Sequence, residues 1–363
     1  MNKPLYQMIY NELKQQIESG KYGINELLPT EKELSSTYQV STITTKKALD
    51  LLKEEGYIVR KPRKGSVVIS NRKNEANFNK MIIGLVITNF SDFFGTEILR
   101  SILNYEADKL HVMVKITYGD IKKENEFIQE LMDSGIQGLI LLPTSSEYTS
   151  PKILELIAQD FPIVVIDRLM DQLPVCSVQT DSFSASKELI NYLFDKNHHK
   201  IGLITSDSHV STIDERIDGF LAAHVDANRA VSQKQIFSVI DSVVPGSSRN
   251  ISEDVDLIVA FLQQNPTITA LFATEYNIAL LAKSAIERLA KTVPNDYSIV
   301  CFDHPTINLF DLNAFIFTHI EQDQAAIGEE AVKLLLKKIN EPALIEKVNL
   351  GYRLIEGDSV TRI

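Results

Sequence analysis

LPTEKELSSTYQVSTITTKKALDLLKEEGYIVRKPRKGSVVI, residues 28–69, decides how the amino-terminal part of this chain folds. Thr30 and Glu33 have the spacing of a capping box, in which the Thr hydroxyl takes the Glu33 amide and the Glu carboxylate reaches back. The helix they start is short and ends near Tyr38 and Gln39. Ser41 is a good cap for a second helix running to about Glu55, with Ala48, Leu49, Leu51 and Leu52 on its buried side. Thr42, Thr44, Thr45, Lys46 and Lys47 crowd its first turns. After Gly56, Tyr57-Ile58-Val59 and Ser66-Val67-Val68-Ile69 read as short strands of a hairpin. Its tip is Arg60-Lys61-Pro62-Arg63-Lys64-Gly65, with four cations. Upstream, Ile9, Leu13 and Ile17 repeat at spacing four, an apolar stripe for a first helix that Gly20 and Gly23 end. Two helices joined by a tight turn, the second led by hydroxyl and cationic side chains, suit insertion into a major groove.

Charge agrees with that reading. Residues 1–70 hold 11 Lys and Arg against 8 Asp and Glu, a local charge of +3. The whole chain is −11, which leaves −14 for the rest. A cationic island in an acidic chain is what a phosphate backbone requires, because bound cations displace condensed counterions. At 363 residues, with 44% hydrophobic and 23% charged, the chain is expected to form two or three globular domains. No apolar run follows the first residues, so no signal peptide is expected. No stretch approaches the roughly 20 apolar residues of a membrane span. Cys176 and Cys301 lie in strand-like apolar contexts and are expected to be reduced, buried thiols. The expected location is the cytoplasm, with no membrane partner.

Residues 71–80 (NRKNEANFNK) are polar and Asn-rich and read as a linker. From residue 81 onwards, apolar runs of strand length (82–88, 138–143, 162–167, 200–205, 270–273, 298–303) alternate with helical stretches (97–109, 122–134, 183–195, 278–289). Near-continuous apolar strands alternating with helices predict parallel sheets covered on both faces. Ligands of such sheets bind at the carboxyl ends of the strands. There is no phosphate loop, dinucleotide fingerprint or nucleophile elbow. His198 and His199 are adjacent on an extended run, point to opposite faces, and read as a surface strand start rather than a metal pair. Asp254 with Asp256, and Glu329 with Glu330, read as solvated helix faces. No metal, no cofactor and no enzyme activity are expected.

The motifs LPTEKEL (28–34), VSTITTKKAL (40–49) and LKEEGYIVRKPRKGSVV (52–68), with their spacing, resemble the winged helix-turn-helix domain of the GntR family of bacterial transcription regulators. The resemblance covers nearly all of residues 4–69 and implies an α+β head that binds DNA. It implies that Lys32, Ser41, Thr44, Lys46 and Gly65 contact or approach the duplex. Thr42, Thr45, Lys47, Arg60, Lys61, Arg63 and Lys64 complete the expected DNA-binding set. The chain departs from the family at Thr42, where Arg is common, and at Arg63, where the wing usually carries Gly. Operator preference therefore does not transfer.

Residues 81–363 resemble the LacI/GalR effector domain, which shares its fold with periplasmic sugar-binding proteins. The segments that carry this are IGLVITNFSDFF (83–94), GLILLP (138–143), PIVVIDR (162–168), VQTDSFSAS (178–186), HHKIGLIT (198–205), ERIDGF (215–220), PTITALFATEYNIALLA (266–282), VPNDYSIVCFDH (293–304) and THIEQDQAAIGEEAV (318–332). A GntR head on a LacI-type body is similar to the AraR-type arabinose repressors. The resemblance implies an α/β body of two lobes with parallel sheets and three crossovers, closing on a small molecule. Residues just after the strands are the candidate ligand contacts: Ser91, Asp92, Phe93 and Phe94 after the first, Asp167 and Arg168, Asp181, Thr274 and Glu275, Asp303, and Gln322. Of the two Phe, one is expected in the cleft and one in the core. Arg216 falls where the family keeps a ligand-binding Arg. Relatives usually have Asn-Asp where this chain has Thr274-Glu275.

The expectation is a homodimeric transcription regulator, a repressor, whose affinity for double-stranded operator DNA is set by a small sugar, arabinose or another monosaccharide. The alternatives are a nucleoside, purine or sugar phosphate as effector, or a sugar-processing enzyme with a DNA-binding head. Acids outnumber cations among the ligand candidates, which favours a neutral sugar over a phosphate. LacI-type chains couple head to body through a hinge helix, and 71–80 is too polar for one.

Overall fold

The structure is a computed structural model and describes residues 4–61, 65–70, 80–91, 93–105, 109–146, 149–170, 172–208, 210–305 and 314–363. Residues 71–79 of the expected linker at 71–80, and Arg63, Lys64 and Asp92, lie outside the described residues. The chain forms two compact units, residues 1–80 and 81–363.

In the first unit, α1 (Leu5–Glu18) buries Ile9, Leu13 and Ile17. The helix α2 (Glu31–Tyr38) starts on the expected capping box: Thr30 Oγ1 accepts from Glu33 N, and Glu33 accepts from Thr30 N at 2.7 Å. Its last turn closes on Gln39 with φ +53°, and α3 (Thr42–Glu54) begins at the Ser41 cap, whose Oγ accepts from Thr44 N. Strands β1 (Ile58–Lys61) and β2 (Gly65–Val68) pair antiparallel as the wing. Leu13, Ile17, Leu49, Leu52 and Tyr57 form the small core beneath.

The second unit repeats one architecture twice. The first lobe has strands β3 (Met81–Ile87), β4 (Leu110–Ile116), β5 (Gly138–Leu141), β6 (Ile163–Ile166), β7 (Cys176–Thr180) and β13 (Lys347–Leu350). Their order is β13-β7-β6-β5-β3-β4, all parallel. The second lobe has β8 (Ile201–Ser206), β9 (Ile236–Ile240), β10 (Ala270–Ala273), β11 (Ser298–Phe302), β12 (Thr318–Gln322) and β14 (Tyr352–Ile355), in the order β14-β12-β11-β10-β8-β9. Only β14 runs antiparallel to its neighbour.

Helices α4 (Thr96–Asn104), α5 (Ile121–Asp133) and α6 (Pro151–Ala158) cover the first sheet. Helices α7 (Ser182–Asp195), α8 (Ser211–Asp226), α9 (Ile251–Gln264) and α10 (Tyr276–Arg288) cover the second. After β12 the chain returns through α11 (Gln324–Asn340), whose Ile327, Ala331 and Leu335 join the first lobe's core. The chain passes between lobes after β7, after β12 and between β13 and β14. These are the three crossovers that were expected.

Three sequence readings need correction. His198 is fully buried, not on the surface: Nδ1 meets Thr269 Oγ1, and Nε2 meets Thr361 O and Ser298 Oγ, each at 2.9 Å. Asp254 is buried and accepts from the backbone N–H of Asp241 and Ser242 and from Arg249, closing the loop before α9. Strands β4, β7, β9, β12, β13 and β14 lie outside the apolar runs read as strands, because each carries polar residues that break the run. Both cysteines are free and buried, as expected.

Candidate functional site

On α3 the buried stripe is Thr45, Ala48, Leu49 and Leu52, positions three and four apart. Thr45 is thereby excluded from any groove. Its hydroxyl donates to Thr42 O at 3.0 Å and Glu31 O at 3.2 Å, pinning α3 to α2. Arg60 is part-buried: its guanidinium bonds Asp50 at 2.9 Å and also Glu31, so it ties the wing to both helices. The remaining described candidates stay at the surface. Lys32, Ser41, Thr42, Lys46, Lys47, Lys61 and Gly65 are exposed, and Thr44 is half-buried with its hydroxyl 2.9 Å from Ser41 Oγ. Lys47 sits 4.1 Å from the Tyr6 ring centroid. Gly65 has φ +99°, a left-handed turn that leaves the wing without strain.

In the second unit a cavity of about 440 Å³ opens at the carboxyl ends of both sheets. Each lobe has strand order 2-1-3-4-5 counted from its own first strand, and such sheets bind ligands where that order reverses. The first lobe contributes Ser91, Phe93, Phe94, Asp167 and Arg168; the second contributes Arg216, Glu275 and Asp303.

Arg216 organises the floor. It donates to Thr274 O at 2.7 Å, and its guanidinium lies 3.9 Å from the Phe302 ring centroid. Its charge faces Asp167, Glu275 and Asp303. Burial raises the Asp167 and Glu275 carboxyls above their ordinary range, and the opposing pull of Arg216 does not cancel it. Asp303 is pushed up to about 7 by burial, although Gln322 Nε2 donates to both its oxygens at 3.0 Å. Glu215 beneath is raised to about 7 by burial and then by Asp181. Arg168 donates to Pro143 O. Asp167 Oδ1, Arg168 Nε and Arg216 Nε are buried with no hydrogen-bond partner among the described residues. Groups so placed are costly unless something meets them.

Phe93 lies at the mouth, 5.4 Å from the Tyr276 ring, and offers an apolar face. Gln324 fixes it, donating to Phe93 O at 2.7 Å and accepting from Gly95 N at 2.9 Å. Phe94 also borders the cavity and packs on the first lobe's core. Ser91 is spent on its own turn, with Oγ accepting from Phe94 N at 3.0 Å.

Three of the described candidates, Asp181, Thr274 and Gln322, do not line this cavity. Asp181 caps α7, accepting from Ser184 N at 2.9 Å. Thr274 is fully buried; its hydroxyl donates to Thr205 at 2.9 Å and its carbonyl holds Arg216. Gln322 reaches the cavity through Asp303, to which its Nε2 donates. Missed were Thr144, Ser206, Ser208 and Asn277 on the cavity wall. Ser206 and Ser208 follow the run at 200–205, so the strand-end rule could have found them. Among the described residues no cluster could hold a metal ion, and no helix is long and apolar enough to cross a membrane.

Residues 5–68 match the family described as bacterial regulatory proteins, gntR family, and residues 190–360 match the periplasmic binding protein-like domain. The chain is similar to the arabinose metabolism transcriptional repressor of Geobacillus stearothermophilus, 25% identical over 96% of this chain and 95% of that one. It is also similar to the ribose operon repressor of Haemophilus influenzae, 27% identical over 75% of this chain and 77% of that one. Among solved structures, a LacI family transcriptional regulator from Enterococcus faecium with bound ribose shares the fold, with TM-score 0.64 and 22% identity over 78% of this chain and 99% of that one. The relatives are transcriptional repressors rather than enzymes. This chain is a transcription regulator that joins a GntR-type helix-turn-helix domain to a periplasmic-binding-protein-like domain.

Proposed function

We propose that this regulator is a cytoplasmic repressor that binds operator DNA as a homodimer and senses a neutral monosaccharide in the cavity between its lobes. The observation that carries this is the cavity wall itself. Carboxylates from both lobes (Asp167, Asp303, Glu275) can accept from sugar hydroxyls. Arg168 and Arg216 can donate, and Phe93 can cover the C–H face of a ring. A site of fixed donors and acceptors rejects analogues that leave a buried group unmatched. Three carboxylates against two guanidiniums disfavour a phosphate. The DNA contacts are assigned to Lys32, Ser41, Thr42, Thr44, Lys46, Lys47, Lys61 and Gly65. The effector acts by binding the open and closed arrangements of the lobes with different affinity.

Thermal unfolding of the full chain against monosaccharides, nucleosides and sugar phosphates tests the reading. A neutral sugar is expected to raise the midpoint by mass action and to release the protein from its operator. A shift with phosphorylated or nucleoside ligands alone overturns it.

A further inference from the structure

We propose that Ile43 reads the C5-methyl group of a thymine in the major groove, and so sets the operator preference of this chain at one base pair of each half-site. The inference rests on the DNA-binding reading of the head and goes beyond it, since no motif of the sequence points to an apolar contact.

Ile43 is the second residue of α3 and is 78% exposed, more than any other large apolar side chain among the described residues. Single exposed apolar residues are common and often mean nothing. The setting of this one is different. Positions three and four apart share a helix face, so Ile43 stands with Lys46 and Lys47, both exposed. It is turned away from the buried stripe of Thr45, Ala48, Leu49 and Leu52. Helix propensity gives no reason for a β-branched residue here. The turn carrying it is fixed from both sides, by the Ser41 cap and by the Thr45 hydroxyl bonds. Its neighbours are cationic or hydroxylic, suited to phosphates and polar base edges. In the major groove each base edge presents donors and acceptors, and thymine alone adds an apolar group. A rigid apolar side chain on a cation-flanked leading turn matches that group and no other on the duplex.

The test uses the full-length protein and a duplex it selects from a random pool. Each thymine is then replaced singly by uracil, which removes only the methyl group, and affinity is measured at fixed salt. One thymine per half-site is expected to matter, its replacement weakening wild-type binding by about fourfold, the value of one buried methyl-sized group. Ile43→Ala is expected to bind the thymine duplex as weakly as wild type binds the uracil one, and to be indifferent to the exchange. Ile43→Val, which keeps two methyl groups, should retain part of the preference. The slope of affinity against salt should be unchanged in Ile43→Ala, because no phosphate contact is lost. A duplex whose uracil substitutions affect wild type and Ile43→Ala equally, or affect neither, overturns the proposal while leaving DNA binding intact. Failure to select any duplex overturns the DNA-binding reading as well.

Discussion

Asp167 at the end of β6 and Asp303 at the end of β11 share one backbone geometry. Their φ angles are +62° and +63°, and each backbone N–H donates at 2.9 Å to the neighbouring strand, Asp167 to Val178 O and Asp303 to Ile320 O. The left-handed region is costly for most side chains and least so for Asn and Asp. The turn aims each carboxyl into the cavity from opposite lobes, with Arg216 facing both.

Replacing Arg216 by Ala leaves these carboxylates without their main counter-charge. Effector binding, measured by calorimetry, is expected to be lost, while binding of a selected duplex by the same preparation survives. Loss of both would show that Arg216 serves stability rather than the ligand.

The raised carboxyls make stability depend on pH. Folding lifts Asp303 from 3.8 to about 7 and Glu215 from 4.5 to about 7. The folded chain therefore keeps protons over a range where the unfolded chain has released them, and stability falls as pH rises through that range. The contribution is complete below about pH 4 and gone above about pH 7. The unfolding midpoint of the ligand-free protein should fall between about pH 5 and about pH 7.5. Asp303→Asn and Glu215→Gln should each flatten the curve, and an unchanged slope in the double variant would refute this assignment.

Lys46→Ala and Lys47→Ala should weaken duplex binding across sequences. Each should make the slope of log affinity against log salt shallower by about one. An unchanged slope in both would remove α3 from the interface.

Arg60→Ala separates a strut from a contact. Its ion pairs with Glu31 and Asp50 are partly exposed, with the Arg60 side chain 26% accessible, so the stability loss should be about 1 kcal/mol or less. The salt slope of DNA binding should stay as in wild type, and a shallower slope would restore Arg60 to the duplex.

Gly219→Ala should be strongly destabilising. A Cβ there would lie 2.4 Å from Phe183 O and 2.7 Å from Ser186 Cβ, where α7 and α8 pack closely. Overpacking of this kind costs about 1–3 kcal/mol or more. Arg216, one turn away on α8, should lose its position, lowering effector affinity along with the melting midpoint.

The sequence by itself determined whatever depends on neighbours in the chain. The Thr30–Glu33 box, the Ser41 cap, the hairpin of the wing and the main parallel strands follow from residues a few positions apart. Ser91, Asp167 and Asp303 marked the cavity for the same reason, since strand ends are visible in the apolar pattern, and Ser206 and Ser208 follow the same rule. The Thr45 error was also local: its spacing to Ala48, Leu49 and Leu52 already marked the buried stripe.

Only the tertiary structure decided the rest. Arg60 meets Glu31 29 positions away, Arg216 meets Thr274 O across 58, and His198 meets Thr361 O across 163. The sequence shows that a charge or ring is present, but its partner is set by how sheets and helices are stacked. A buried polar group takes whichever donor or acceptor the packing brings within about 3 Å, and no spacing along the chain encodes that choice.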